Sequence, residues 1–160
     1  VLDQLVKIEA DYYCTNGAIP MADGGIAAVE GTPMDFRTFS PVGRALRSDF
    51  VQLRQVGGFN HTYVLRKRER GALELAASMY DPGSGRKMEV YTTMPGLHFF
   101  SANKTTPRTG KCGATYDRQF GLCFETQFFS NSAKCTWFPS PVLRKENSYR
   151  QVTEFRFLVS

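Results

Sequence analysis

Apolar and polar residues alternate with a period of two through much of this chain, the pattern of strands that bury one face. Residues 5–13 set it first, with Val6, Ile8 and Ala10 on one side and Lys7 and Glu9 on the other. Thr15-Asn16-Gly17 predicts a turn, and Ile19-Pro20 through Gly24-Gly25 predicts a loop. Ile26 to Val29 is a short apolar run, closed by Glu30-Gly31-Thr32-Pro33. Residues 42–53 predict one short helix, with Ser40 as a weak cap. Gly57-Gly58 then leads into a strand from Phe59 to Leu65, the paired glycines permitting backbone angles that aim polar side chains into a cleft.

Further along, Leu73, Leu75, Ala77 and Met79 alternate, and the neighbouring turns favour a strand over 72–80. Asp81-Pro82-Gly83-Ser84-Gly85 is a turn, and Met88 to Thr93 is β-branched and aromatic, a strand broken at Pro95-Gly96 and resumed at Leu97-His98-Phe99-Phe100. Residues 101–119 are polar and predict a long loop. A strand over 121–128 follows, then polar residues 130–134 and the aromatic stretch Trp137-Phe138 ended by prolines. Val152 to Val159 alternates again, with Phe155, Phe157 and Val159 against Glu154 and Arg156. Together these elements predict an all-β, mainly antiparallel structure.

Composition narrows the class. The 160 residues are 42% hydrophobic and 22% charged, enough for one domain with a real core. Twenty Lys and Arg against 15 Asp and Glu give a net charge of +5. The densest basic cluster, Arg66-Lys67-Arg68-Glu69-Arg70, predicts a solvated turn, and no series of stacking aromatics accompanies it, so no nucleic-acid partner is expected. Cys14, Cys112, Cys123 and Cys135 show no C-x-x-C spacing, and with only His61 and His98 beside them there is no zinc signature. Free thiols in a reducing, cytoplasmic compartment are expected. No apolar run is long enough for a membrane helix, and no membrane partner is expected. The sequons Asn60-His61-Thr62 and Asn103-Lys104-Thr105 matter only in a secretory protein. A chain opening at Val1, without Met and almost at once in a strand, predicts a fragment.

Candidate chemistry centres on Phe124-Glu125-Thr126-Gln127. Residues 125 and 127 are two apart, so a strand sets carboxylate and amide on one face, with Phe124, Thr126 and Phe128 on the other. Such a pair is either a general base with a hydroxyl-holding neighbour or two solvated residues. Other polar candidates are Asn60 and His61 after the glycines, His98 after Pro-Gly, and Arg86. Each histidine is alternatively a hydrogen-bonded core or rim residue, and Arg86 a solvated turn residue. The residues alone predict a polar cleft for a hydroxyl-rich ligand and no particular reaction.

Taken in order, several segments carry a resemblance. They are Val29-Glu30-Gly31-Thr32-Pro33-Met34-Asp35-Phe36-Arg37, Gly57-Gly58-Phe59-Asn60-His61, Ser84-Gly85-Arg86 with Met88 to Thr93, Pro95-Gly96-Leu97, Phe124-Glu125-Thr126-Gln127, and finally Phe138-Pro139 and Tyr149. This ordered series resembles the aldose 1-epimerases, or galactose mutarotases, over essentially the whole chain.

The resemblance implies the C-terminal portion of a single β-sandwich domain of the galactose-mutarotase-like supersandwich type. It implies anomer interconversion of a free aldose such as galactose or glucose, by proton transfer alone and with no cofactor. Glu125 is then the catalytic base, Asn60, His61 and Gln127 hold or orient the sugar, and the acid is a histidine of the N-terminal half. A complementary N-terminal half or a second copy of the chain is the expected protein partner. Two positions depart from the family pattern. Asn60 stands where the family has Asp, which removes a charge-assisted bond at a cost of roughly 1–2 kcal/mol. Ser130-Asn131 stands where it has Pro-Asp, at the rim of the site.

Overall fold

The computed structural model describes residues 1–18 and 21–159, so the expected loop position at Ile19-Pro20 lies outside the described residues. In chain order the elements are β1 (Leu5–Ile8), β2 (Ala10–Asn16), β3 (Ala22–Ala28), β4 (Ser40–Pro41), α1 (Val42–Leu46), α2 (Val51–Val56), β5 (Asn60–Leu65), β6 (Glu74–Asp81) and β7 (Arg86–Thr92). They continue with β8 (Gly96–Phe100), β9 (Arg108–Thr109), β10 (Thr115–Tyr116), β11 (Cys123–Gln127) and β12 (Thr153–Val159). Two five-stranded antiparallel sheets result, ordered β12-β7-β6-β1-β4 and β11-β8-β5-β2-β3. The fold is all-β and sandwich-like.

The predicted strand over 5–13 is two strands in two sheets. At Glu9 the chain crosses between them: its N–H donates to Ala76 O of β6 and its carbonyl accepts from Arg66 N, each at 2.8 Å. One backbone residue thereby links both layers. Alternation itself carries across the break, so Val6, Ile8 and Ala10 are all buried.

Apolar residues from the facing sheets meet in one core. Val6 and Ile8 come from β1 and Ala76 and Ala77 from β6, while Tyr13, Tyr63, Leu97 and Phe99 come from the second sheet. Phe36, Phe59 and Phe99 form an aromatic triangle with centroids 4.8–5.9 Å apart, and Phe124 stacks on Phe99 at 5.3 Å. Burying each such ring stabilises the fold by about 1.5–3 kcal/mol. The Val29–Arg37 segment lies along this core. Val29, Met34 and Phe36 are buried, Tyr63 OH donates to Met34 O at 3.0 Å, and Arg37 grips Asp35 through two nitrogens at 3.0 and 2.8 Å.

Several local expectations are corrected. Thr15 and Asn16 belong to β2, and Gly24-Gly25 lie inside β3 rather than in a loop. The single helix is two, separated by Arg47 to Phe50, with Gly57 (φ 73°) closing α2 in the left-handed region. Residues 101–119 hold the small hairpin β9–β10. The alternation of 72–80 is interrupted between Leu75 and Ala77, where the register with β7 shifts.

Candidate active site

Cross-strand register settles which side chains share a face. On the second sheet Cys123, Phe100 and Asn60 stand in one row across β11, β8 and β5. Glu125, His98 and Thr62 form the next row, and Gln127, Gly96 and Val64 the third. Neighbouring strands lie about 4.8 Å apart and successive rows about 7 Å apart. A strip of polar groups on the scale of a monosaccharide therefore covers the outer face of this sheet.

The paired glycines and a buried loop set the start of β5. Phe59 N donates to Ser101 Oγ at 2.9 Å, and Asn103 Nδ2 donates to Phe59 O at 2.8 Å. Gly58 (φ 146°) admits this close packing, since a Cβ there would lie 2.1 Å from Asn103 Oδ1. Strand β5 then emerges with Asn60 and Thr62 on the outer side of the sheet, Asn60 half-buried and Thr62 1% exposed.

The residues from Phe129 to Phe138 fold back over the same outer face and bound it on one side. Phe129, Cys135 and Phe138 pack with Cys14 and Val64, Asn131 Nδ2 donates to Ala22 O at 3.0 Å, and Trp137 Nε1 donates to Gly24 O at 3.1 Å. Gly24 (φ 89°) is required, because a Cβ would come within 2.8 Å of both Cys135 Sγ and the Trp137 ring. The rim thus brings Ser130 to Thr62, with 2.7 Å between their hydroxyl oxygens.

Within the strip Thr62 Oγ1 lies 3.0 Å from His98 Nδ1, and His98 Nε2 lies 3.0 Å from Asn60 Oδ1. Gln127 Nε2 stands 3.5 Å from Thr62 Oγ1 and 3.4 Å from Ser130 Oγ. Glu125 is exposed, and among the described residues no hydrogen bond or ion pair holds its carboxylate. Burial lowers the pKa of His98, although the Glu125 charge across the strand pair works the other way. An unengaged carboxylate beside fixed hydroxyl and amide groups can accept a proton from a bound hydroxyl.

The structure brings Glu125, Gln127 and Asn60 together, and it does not bring His61 with them. Adjacent residues on a strand face opposite ways, so His61 enters the core, where it is 1% exposed and edge-on to Tyr13. Its Nδ1 accepts from Asn60 N at 3.2 Å, and its Nε2 has no hydrogen-bond partner among the described residues. Burial, with a smaller contribution from His98, pushes the His61 pKa down to about 3. Arg86 begins β7 in the other sheet. Thr62, His98 and Ser130 complete the strip. His98 follows from the sequence only as a lone polar candidate, Ser130 only as a rim position that departs from the resembled pattern, and Thr62 carries no local signal beyond alternation.

No group of three or more His, Cys, Asp or Glu among the described residues could hold a metal ion. All four cysteines are free, Cys14 and Cys135 buried and Cys112 and Cys123 exposed. A separate cleft of about 840 Å³ is lined by Lys67, Arg70, Trp137 and Tyr149 among others; Glu125, His98 and Asn60 lie outside it, on an open sheet face.

Comparison with known proteins adds to this geometry. A sequence model of the family described as aldose 1-epimerase matches residues 1–156. Galactose mutarotase of Sus scrofa is 34% identical over 161 residues, covering 100% of this chain and 45% of that protein. Aldose 1-epimerase of Escherichia coli (strain K12) is 30% identical over 162 residues, covering 99% of this chain and 46% of that one. Among solved structures, the aldose epimerase homologue from C. elegans superposes with a TM-score of 0.87 at 21% identity, over 99% of this chain and 46% of the other. The chain thus spans less than half the length of these relatives.

Proposed function

The chain belongs to the aldose 1-epimerase family, and on that premise we propose that it supplies the base-bearing face of an enzyme interconverting the α and β anomers of a free hexose such as galactose or glucose. The observation that carries this reading is the polar strip itself: Glu125, exposed and unengaged, shares one sheet face with Gln127, His98 and Asn60, with Thr62 buried between them. In the forward step Glu125 takes the proton of the C1 hydroxyl while an acid protonates the ring oxygen. The C1–O5 bond breaks, the C1–C2 bond rotates, and closure on the other face returns both protons. Proton transfer is the whole reaction, so no cofactor is required.

The acid has no candidate on this face, because both His98 nitrogens are engaged and His61 lies behind the sheet. We therefore take the chain as the C-terminal portion of a mutarotase domain, a reading supported by the order of its motifs. A complementary N-terminal portion would bring the acid and close the face. His61 acts from behind the sheet, holding the backbone of Asn60 rather than the sugar. The free thiols fit a reducing cytoplasm.

Polarimetry on freshly dissolved galactose or glucose tests the proposal. Rate enhancement is expected when a complementary N-terminal half is supplied, and enhancement that survives Glu125→Gln overturns the assignment of the base. A second reading, a carbohydrate-binding remnant without catalysis, is favoured by Asn60 in place of a carboxylate. It requires saturable sugar binding by calorimetry with no anomer exchange in the reconstituted protein.

A further inference from the structure

Four side chains on the outer sheet face form one continuous hydrogen-bonded series. It runs from Ser130 through Thr62 and His98 to Asn60, with steps of 2.7, 3.0 and 3.0 Å. The direction of every bond follows from its last member. A carbonyl oxygen only accepts, so Asn60 Oδ1 requires the proton on His98 Nε2. Burial of the ring favours its neutral form, and a neutral imidazole protonated at Nε2 has a bare Nδ1. Thr62 must then donate its hydroxyl hydrogen to that nitrogen. Its oxygen, the hydrogen committed, receives from Ser130 Oγ–H, with Gln127 Nε2 as a second, longer donor at 3.5 Å.

With its carbonyl turned to His98 Nε2–H, the amide plane of Asn60 is fixed and its NH2 group is the edge turned away from the ring, free to meet a ligand. Asn60 is half-buried, and Nδ2 has no hydrogen-bond partner among the described residues. We propose that His98 is a positioning residue that fixes Asn60 as a hydrogen-bond donor, so that this position of the site reads an acceptor oxygen of a sugar hydroxyl, where a carboxylate would read the hydroxyl's hydrogen. The identity of the ligand rests on the sugar-site reading above; the orientation of Asn60 does not. Asn60 and Ser130, two of the positions at which the chain departs from the pattern it resembles, are the two ends of this series. The two departures thus meet in one series: the Asn60 carbonyl sets its direction, and a hydroxyl at 130 can supply the hydrogen that the Thr62 oxygen then accepts.

The test begins with the tautomer. Long-range proton–nitrogen correlation spectra of the labelled chain report which ring nitrogen of each histidine is protonated. There are only two histidines, so either His98→Phe or His61→Phe assigns both, and one unfolded variant does not end the experiment. A protonated Nε2 and bare Nδ1 at His98 is the expected result, and the opposite tautomer overturns the proposal. Sugar titrations follow. His98→Phe should weaken galactose or glucose binding about tenfold, the loss of roughly one hydrogen bond's worth of orientation. His98→Gln, whose amide nitrogen reaches where Nε2 stood, should restore most of it. Equal weakening by both variants, or none by either, overturns the positioning role. These titrations use the chain completed with an N-terminal half; failure of that protein to bind either sugar, with the Nε2–H tautomer present, would refute the sugar-site reading and leave the assignment of His98 standing.

Discussion

Glu125 stands directly across from His98 on adjacent antiparallel strands, so a free carboxylate faces an imidazole whose two nitrogens are already engaged by Thr62 and Asn60. The carboxylate therefore has no proton donor waiting beside it. It can take a proton from a ligand and give it back, as a reversible base must.

Replacing Glu125 by Gln keeps the shape and removes the basicity. In the protein completed with an N-terminal half, the anomer exchange rate should fall on the order of 10²–10⁴-fold, with sugar affinity little changed. Exchange spectroscopy and calorimetry separate the two quantities. Parallel losses in both would make Glu125 a binding group.

Acid sensitivity should trace to His61. Its pKa in the folded chain is about 3, against an ordinary value of 6.5, because burial excludes the charged ring. Between those values the unfolded chain binds the extra proton, so stability falls as pH is lowered through this window and is level above it. The His61 contribution amounts to a few kcal/mol, on the order of the linkage for such a shift. The lowered pKa of His98 adds a contribution of the same sign. Urea midpoints at about pH 7 and about pH 4 should differ less in His61→Phe than in the parent chain; an unchanged difference would locate the sensitivity elsewhere.

Gly58→Ala should destabilise by at least about 1–3 kcal/mol, from the backbone angle alone. The added methyl also meets Asn103 Oδ1 and Ser101 Oγ, so the start of β5 must shift and Asn60 with it. Thermal unfolding measures the first effect and the Asn60 side-chain amide resonances the second. A melting temperature equal to the parent's would refute the close packing.

Strand β12 lies at a sheet edge and leaves Phe155, Phe157 and Val159 at 46%, 76% and 84% exposure. An exposed apolar edge strand pairs readily with another chain. Phe157→Lys should reduce concentration-dependent association in light scattering while changing stability by no more than about 0.5 kcal/mol. Undiminished association would exclude this edge as the contact.

Strands β5, β7, β8 and β11 were legible because each carries β-branched or aromatic residues close to Gly or Pro. Strand β3 was not: Ala22 to Ala28 is glycine-rich for a reason that lies more than 100 residues away, in the approach of Cys135 and Trp137 to Gly24. The switch at Glu9 was hidden because both flanking strands keep the same alternation. Glu125 and Gln127 share a face by period two alone, while His98 joins them through register, which no local pattern encodes. The divergence of His61 from Asn60 was written in the sequence. Adjacent residues on a strand face opposite sides, and the expected pairing of the two on one ligand ran against that rule.

Asn103 begins one of the two sequons, and its Nδ2 is the atom that donates to Phe59 O in the buried support of β5. That nitrogen is also the one to which a glycan would be joined. The modified nitrogen keeps one N–H, so space decides the outcome: Asn103 is buried, and in a secretory setting a chain already folded shields the sequon, while a chain already modified has no room for the sugar in the loop that sets Asn60 in place.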